Sequence, residues 1–309
     1  MSTYALDAEL RAAAAALPRI DRTDVARARR ITASPSPPAP PDDVTVSDHT
    51  VRAADGHDVR LRMYRPDRAT GDGAVYHVHG GGFVLGGLGS DHLRTVEIAR
   101  ETGAAVVSVG YRLAPEWPFP APVDDVYTGL TGLPDLDIDP ARVVLHGVSA
   151  GGGLAAAAAL MARDRGTPPV RGLVLVSPML DDRLATASSL RFTDTPALTR
   201  RDLQICWSAY LGALAPGSAE VPAYAAPARA LDLRGLPRTY VAAAELDPLR
   251  DEAVAFAQSL LGAGVPVELH LFPGTYHGSV LVRGAAVSER QTAEEGVVLR
   301  TMLGPEGDR

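Results

Sequence analysis

A serine hydroxyl attacks a carbonyl only where a base takes its proton and fixed donors receive the charge that builds on oxygen. This chain carries segments suited to both tasks. Gly147-Val148-Ser149-Ala150-Gly151 fits G-x-S-x-G, the sharp strand-to-helix turn that lifts a serine above a parallel sheet. Before it in the chain, His79-Gly80-Gly81-Gly82-Phe83 is a glycine run after an apolar stretch, able to offer bare backbone N–H groups to an oxyanion. Gly81 and Gly82 are the expected donors, with Ala150 N–H as the third, while His79 and Gly80 shape the loop. The two segments in this order point to acyl transfer on Ser149.

The base must be histidine. All 30 basic residues are arginine, so a Schiff-base lysine, a G-K-[ST] phosphate loop and a Ser-x-x-Lys site are excluded. Of eight histidines, His77 and His146 lie within predicted strands and read as core residues. His270 lies in the strand VELHLF, and His277 falls just past that strand's carboxyl end, where open α/β sheets gather their chemistry. His277 is therefore the expected base. The orienting carboxylate comes between serine and histidine in such a fold. Asp247 sits just beyond the strand RTYVAAA; Glu245 and Asp251 compete with it, and an Asp before Pro248 is also a common helix start.

The elements that must position these residues follow from the apolar rhythm. From residue 74, short apolar runs at 74–79, 104–110, 142–147, 171–177, 238–244 and 267–272 alternate with helical stretches near 91–102, 121–131, 150–165 and 249–262. A last helix covers about 286–303. This alternation predicts an α/β fold with a parallel sheet covered on both faces. Segments 44–52 and 58–65, joined through Asp55-Gly56, read as a hairpin. Residues 3–17 and 21–31 read as helices, followed by a stiff linker containing Pro35, Pro37, Pro38, Pro40 and Pro41. The interval 180–235 is too long for a crossover, and predicts a helical insertion with Arg200 to Tyr210 its clearest helix. The expected organisation is an N-terminal cap segment and linker (1–43), a first core part (44–179), a cap insertion (180–235) and a second core part (236–309).

Composition narrows the function classes. A hydrophobic content of 46% with 22% charged residues reads as globular. A net charge of −7 without a dense basic cluster argues against nucleic acid as a partner. No run of about twenty uncharged apolar residues spans a membrane. The N-terminus lacks a basic start followed by an apolar core, so no signal peptide is read and a cytoplasmic location is expected. The one cysteine, Cys206, allows no internal disulfide and reads as a core thiol.

With these residues assembled, the chain resembles the hormone-sensitive-lipase-like family of bacterial carboxylesterases, which has the α/β-hydrolase fold. The resemblance covers roughly 74–280 and rests on HGGGF (79–83), YRLAPE (111–116), PFPAP with Asp124-Asp125 (118–125), GVSAGGG (147–153), AELDPLRDE (244–252) and the His277 loop. It implies a mostly parallel eight-stranded sheet, a helical cap from the N-terminus and the insertion, Ser149, Asp247 and His277 as triad, and Gly81, Gly82 and Ala150 as oxyanion hole. Val148 departs from the pattern, since many members carry Asp there, and no role is carried to it.

The expected reaction is hydrolysis of a small-molecule carboxylic ester through an acyl-enzyme, with no metal or organic cofactor. Short or medium acyl chains are expected, because a cap encloses the pocket. The same triad would serve an amide, carbamate or formamide, and a ligand-binding protein on a hydrolase scaffold is the alternative of another class. The sheet edge and the last helix could support a homodimer.

Overall fold

In the computed structural model, residues 4–33, 39–69, 71 and 73–304 are described. Pro35, Pro37 and Pro38 of the expected linker lie outside them. Eight strands form one sheet: β1 (Val44–Arg52), β2 (Asp58–Pro66), β3 (Ala74–Val78), β4 (Ala105–Gly110), β5 (Val143–Val148), β6 (Gly172–Val176), β7 (Thr239–Leu246) and β8 (Val267–Tyr276). Their spatial order is β1-β2-β4-β3-β5-β6-β7-β8. β1 pairs antiparallel with β2, joined through Asp55-Gly56 as predicted, and β2 antiparallel with β4; every later pairing is parallel.

The helices among the described residues are α1 (Arg11–Ala16), α2 (Val25–Thr32), α3 (His92–Thr102), α4 (Ala121–Thr131), α5 (Ala150–Arg165), α6 (Ala187–Arg191), α7 (Arg200–Leu211), α8 (Arg250–Gly262) and α9 (Ala286–Leu303). Because strand side chains alternate, each strand feeds two cores. Val75, Val106, Val144 and Val174 meet Ile98, Ala99, Leu299 and Met302 of α3 and α9 on one face. Tyr76, Val107, Leu145 and Leu173 meet Leu130, Leu154 and Phe256 of α4, α5 and α8 on the other. Full burial on both sides explains why these strands read as continuous apolar runs. No helix among the described residues is long and apolar enough to cross a membrane.

Some boundaries differ from the sequence reading, each for a local reason. The first helix is a 3-10 turn at Ala8–Leu10 leading into the short α1. It stops because Leu17 precedes Pro18 and is forced into an extended conformation (φ −63°, ψ 127°). The second helix begins at Val25, not near 21: the Asp21 carboxylate accepts from Thr23 N and Oγ1, and Asp24 caps the helix by accepting from Arg27 N. β7 runs on to Leu246 through a register shift, and β8 runs on to Tyr276. β8 tolerates Pro273 because it lies at the sheet edge, paired only with β7.

Residues 180–235 contain α6, α7 and a 3-10 turn at Pro227–Arg229. α7 opens on a capping box, Thr199 with Asp202. The N-terminal segment meets this stretch through Arg22–Asp202 (2.8 Å) and through Tyr4 Oη, which donates to Asp194 Oδ1 (2.7 Å).

Candidate active site

Ser149 follows the last residue of β5 and precedes α5, so the chain turns from strand to helix on one residue. That residue takes φ 55° and ψ −121°, which a non-glycine adopts only where its surroundings dictate it. Those surroundings are on hand. Ser149 N–H donates to Val176 O (2.9 Å), and Ser149 O accepts from Gly152, Gly153 and Met179 N–H groups. The flanking glycines are required by close approach: a Cβ on Gly147 would lie 2.3 Å from Gly151 O, and one on Gly151 would lie 2.1 Å from Val78 O.

β7 and β8 bring the two other groups to this turn. His277, the residue after β8, has Nε2 2.9 Å from Ser149 Oγ. Its Nδ1 lies 2.7 Å from Asp247 Oδ2. An ionised carboxylate only accepts, so Nδ1 carries the proton and the Nε2 lone pair faces the serine hydroxyl. Asp247 is fully buried, and its Oδ1 accepts from Leu249 N–H (2.9 Å). The helix-start role and the imidazole contact are thus filled by different oxygens of one carboxylate.

The competing carboxylates point elsewhere. Glu245 accepts from Gly274 N–H (2.7 Å) and braces β7 against β8. Asp251 accepts from Ser188 N–H (2.7 Å) and ties α8 to α6.

The glycine loop passes beside the serine: a Cβ on Gly80 would lie 3.4 Å from Ser149 Cβ. Among the described residues the N–H groups of Gly81, Gly82 and Ala150 have no acceptor. They are free to serve a charge that forms near Ser149. His79 is buried and stacked on Tyr111 with ring centroids 4.2 Å apart. Burial pushes its pKa down to about 4, so the neutral ring donates from Nδ1 to Gly80 O (2.7 Å). His79 therefore holds the loop's backbone and does not face the serine.

His77, His146 and the thiol sit in the core. His77 and His146 contact each other through Nδ1 atoms 2.8 Å apart, on the α3/α9 side of the sheet. Cys206 is buried, and burial drives its thiol pKa up to about 12. Val148 is half-buried against the core under α3 and α9, so it too faces away from α5. Among the described residues no group of three His, Cys, Asp or Glu side chains could hold a metal ion.

Sequence reasoning missed residues that brace the site. Glu252 accepts from Leu180 N–H (2.6 Å) and Asp181 N–H (3.2 Å), joining α8 to the start of the 180–235 stretch. Arg29 of α2 reaches the carbonyl of Val84, just after the glycine loop. Neither contact has a sequence signal, since the partners lie 72, 71 and 55 residues apart.

Residues 75–281 match the family model for the alpha/beta hydrolase fold. The chain is 37% identical over 272 residues to "Carboxylesterase NlhH" of Mycobacterium tuberculosis, covering 84% of this chain and 83% of that protein. It is 33% identical over 262 residues to "Ethyl acetate hydrolase" of Pseudomonas putida, covering 82% and 80%. Among solved structures it superposes on "Bacterial Heroin Esterase" with a TM-score of 0.91 at 45% identity, covering 97% of this chain and 99% of that one.

Proposed function

The chain belongs to the alpha/beta hydrolase family, in its hormone-sensitive-lipase-like branch, and is a carboxylesterase; from that premise we propose that it cleaves small esters through Ser149, His277 and Asp247. The observation that carries this reading is the unbroken line from Asp247 Oδ2 to His277 to Ser149 Oγ, with contacts of 2.7 and 2.9 Å.

In the proposed cycle Ser149 Oγ attacks the ester carbonyl as its proton passes to His277 Nε2. Asp247 holds the imidazole in the tautomer that can accept, and stabilises the imidazolium that forms. Gly81, Gly82 and Ala150 N–H groups stabilise the tetrahedral oxyanion, each worth about 2.7–4 kcal/mol of transition-state stabilisation. The alcohol leaves with the proton from His277. Water, deprotonated by the same nitrogen, then attacks the acyl-serine and releases the acid.

We assign the N-terminal segment and residues 180–235 to a cap that encloses the substrate. Supporting this, α7 lies on the glycine loop: a Cβ on Gly82 would come 2.5 Å from Cys206 Sγ, and Phe83 stacks on Tyr210 at 3.9 Å. An enclosed pocket favours short or medium acyl chains, in keeping with a relative named for ethyl acetate.

The test is nitrophenol release from p-nitrophenyl butyrate. Wild type should turn over, and Ser149→Ala should lose at least about a thousandfold in kcat. Equal activity in the variant would remove Ser149 from the mechanism. Faster turnover of long-chain triglyceride emulsions than of butyrate would overturn the chain-length assignment.

A further inference from the structure

The geometry points to Arg29 as a positioning residue: we propose that its guanidinium holds the oxyanion turn in its working conformation, making the N-terminal arm part of the catalytic apparatus. The proposal rests on the reading of Gly81 and Gly82 as oxyanion donors.

A trans peptide points its C=O and N–H in opposite directions. The Gly81 carbonyl accepts from Val84 N–H (3.2 Å) and Leu85 N–H (2.9 Å). Fixing that oxygen aims the N–H of the same peptide unit, which belongs to Gly82, the other way. The direction of a proposed oxyanion donor is therefore set by the turn 81–85. That turn is not relaxed on its own, since Phe83 sits at φ 65°, an uncommon conformation for a bulky side chain. Such a residue keeps its geometry only when neighbours over-determine it.

From outside the loop, α7 holds the Phe83 ring by its stack on Tyr210, and Arg29 adds the polar contacts that hold the backbone. Its Nε donates to Val84 O (2.8 Å), within the turn. Its Nη2 donates to Ala114 O (2.8 Å), and Ala114 N–H in turn donates to Phe83 O (3.0 Å). The remaining fork closes on Glu116, with Nη1 to Oε1 and Nη2 to Oε2 both 2.8 Å. One planar group thus joins α2, the turn after the glycine loop, and the 114–116 segment. Lysine cannot reproduce this, because an ammonium is a single point of charge and cannot span two carbonyls and a carboxylate in one plane.

The alternative is a surface ion pair with Glu116, whose side chain is 55% exposed. Such pairs contribute little. The two accounts diverge on a set of variants: Arg29→Ala, Arg29→Lys and Glu116→Gln. Each is measured for kcat and KM on p-nitrophenyl butyrate, for inhibition by a trifluoromethyl ketone, whose adduct carries an oxyanion, and for Tm.

Displacing a donor by a fraction of an ångström to 1 Å should lower kcat by about 10–100-fold. We expect that loss in Arg29→Ala, with KM within about threefold and the ketone's Ki raised in parallel with the loss of kcat. Arg29→Lys should recover only part of it, and Glu116→Gln should stay within about threefold of wild type. If Arg29→Ala does not fold, Arg29→Lys decides: a fall in kcat at unchanged Tm supports the proposal. Wild-type kcat in Arg29→Lys, equal losses in Arg29→Ala and Glu116→Gln, or a kcat loss in Arg29→Ala without weaker ketone binding would each overturn it. Failure of the serine-hydrolase reading to which those donors belong would show separately, as an active Ser149→Ala.

Discussion

Asp247 divides two tasks between its two oxygens, and the division makes its amide variant informative. In Asp247→Asn the retained oxygen can still accept from Leu249 N–H, so the start of α8 should survive. The NH2 group would then face His277 Nδ1. A donor there forces Nδ1 to accept, which places the imidazole proton on Nε2, against the serine hydroxyl. The ring could no longer take the serine's proton. We expect kcat to fall on the order of 10⁴-fold, as for the amide variant of another serine hydrolase's triad, with Tm close to wild type. A smaller loss than about tenfold, measured by steady-state turnover of p-nitrophenyl butyrate, would place the orienting carboxylate elsewhere.

At the scale of elements, α8 is anchored to the beginning of the 180–235 stretch by a carboxyl with little access to water. Glu252 is buried, and burial drives its pKa well above the usual carboxylate range, outweighing the two N–H groups that it accepts from. The sign is as follows. An acid easier to ionise when unfolded favours unfolding progressively once pH passes its unfolded value, about 4.3. Glutamine keeps an oxygen for Leu180 and Asp181 without a charge to desolvate. Glu252→Gln should therefore fold, and be at least as stable as wild type at pH 7, with the difference narrowing towards pH 4 in urea unfolding. Glu252→Ala should lose about 1–3 kcal/mol, because the two N–H groups would be left buried without an acceptor. A Gln variant clearly less stable than wild type at pH 7 would mean that the carboxyl is ionised in the folded protein.

For the whole molecule, the α3/α9 face of the sheet holds a polar network that spans the chain. Glu295 of α9 lies 2.7 Å from Arg94 of α3 and 3.3 Å from His146 of β5. His77 of β3 continues the line to Asp91 (3.0 Å). Burial works against ionisation of Glu295, but Arg94 and His146 prevail and hold its pKa at about 2. A carboxyl depressed in the folded state adds stability above its unfolded value, and that stability is lost as pH falls through the folded one. A displacement from about 4.3 to about 2 corresponds to on the order of 3 kcal/mol, present at pH 7 and fading between about pH 4 and 2. Glu295→Gln should show that deficit in urea unfolding at pH 7 and a smaller one at pH 3. A deficit independent of pH would assign the effect to packing.

The sequence by itself determined what is encoded locally. The five strands β3 to β7 were legible because residues buried on both faces leave apolar runs, and the nucleophile turn because Gly147 and Gly151 must sit where backbone approaches within van der Waals distance. The chemistry of Ser149, His277 and Asp247 could be nominated because each falls at a strand's carboxyl end, and the absence of lysine removed the competing bases. Tertiary structure alone decided which residues meet across long separations. Asp247 is separated from Glu245 and Asp251 by where β7 ends and α8 begins, a matter of backbone direction that spacing does not specify. The reach of Arg29 to Val84, Ala114 and Glu116, and of Glu252 to Leu180, depends on how α2 and α8 dock. Docking is set by the shape of the whole core, and one arginine or glutamate in a helix looks the same in the sequence whether it faces water or braces a catalytic loop.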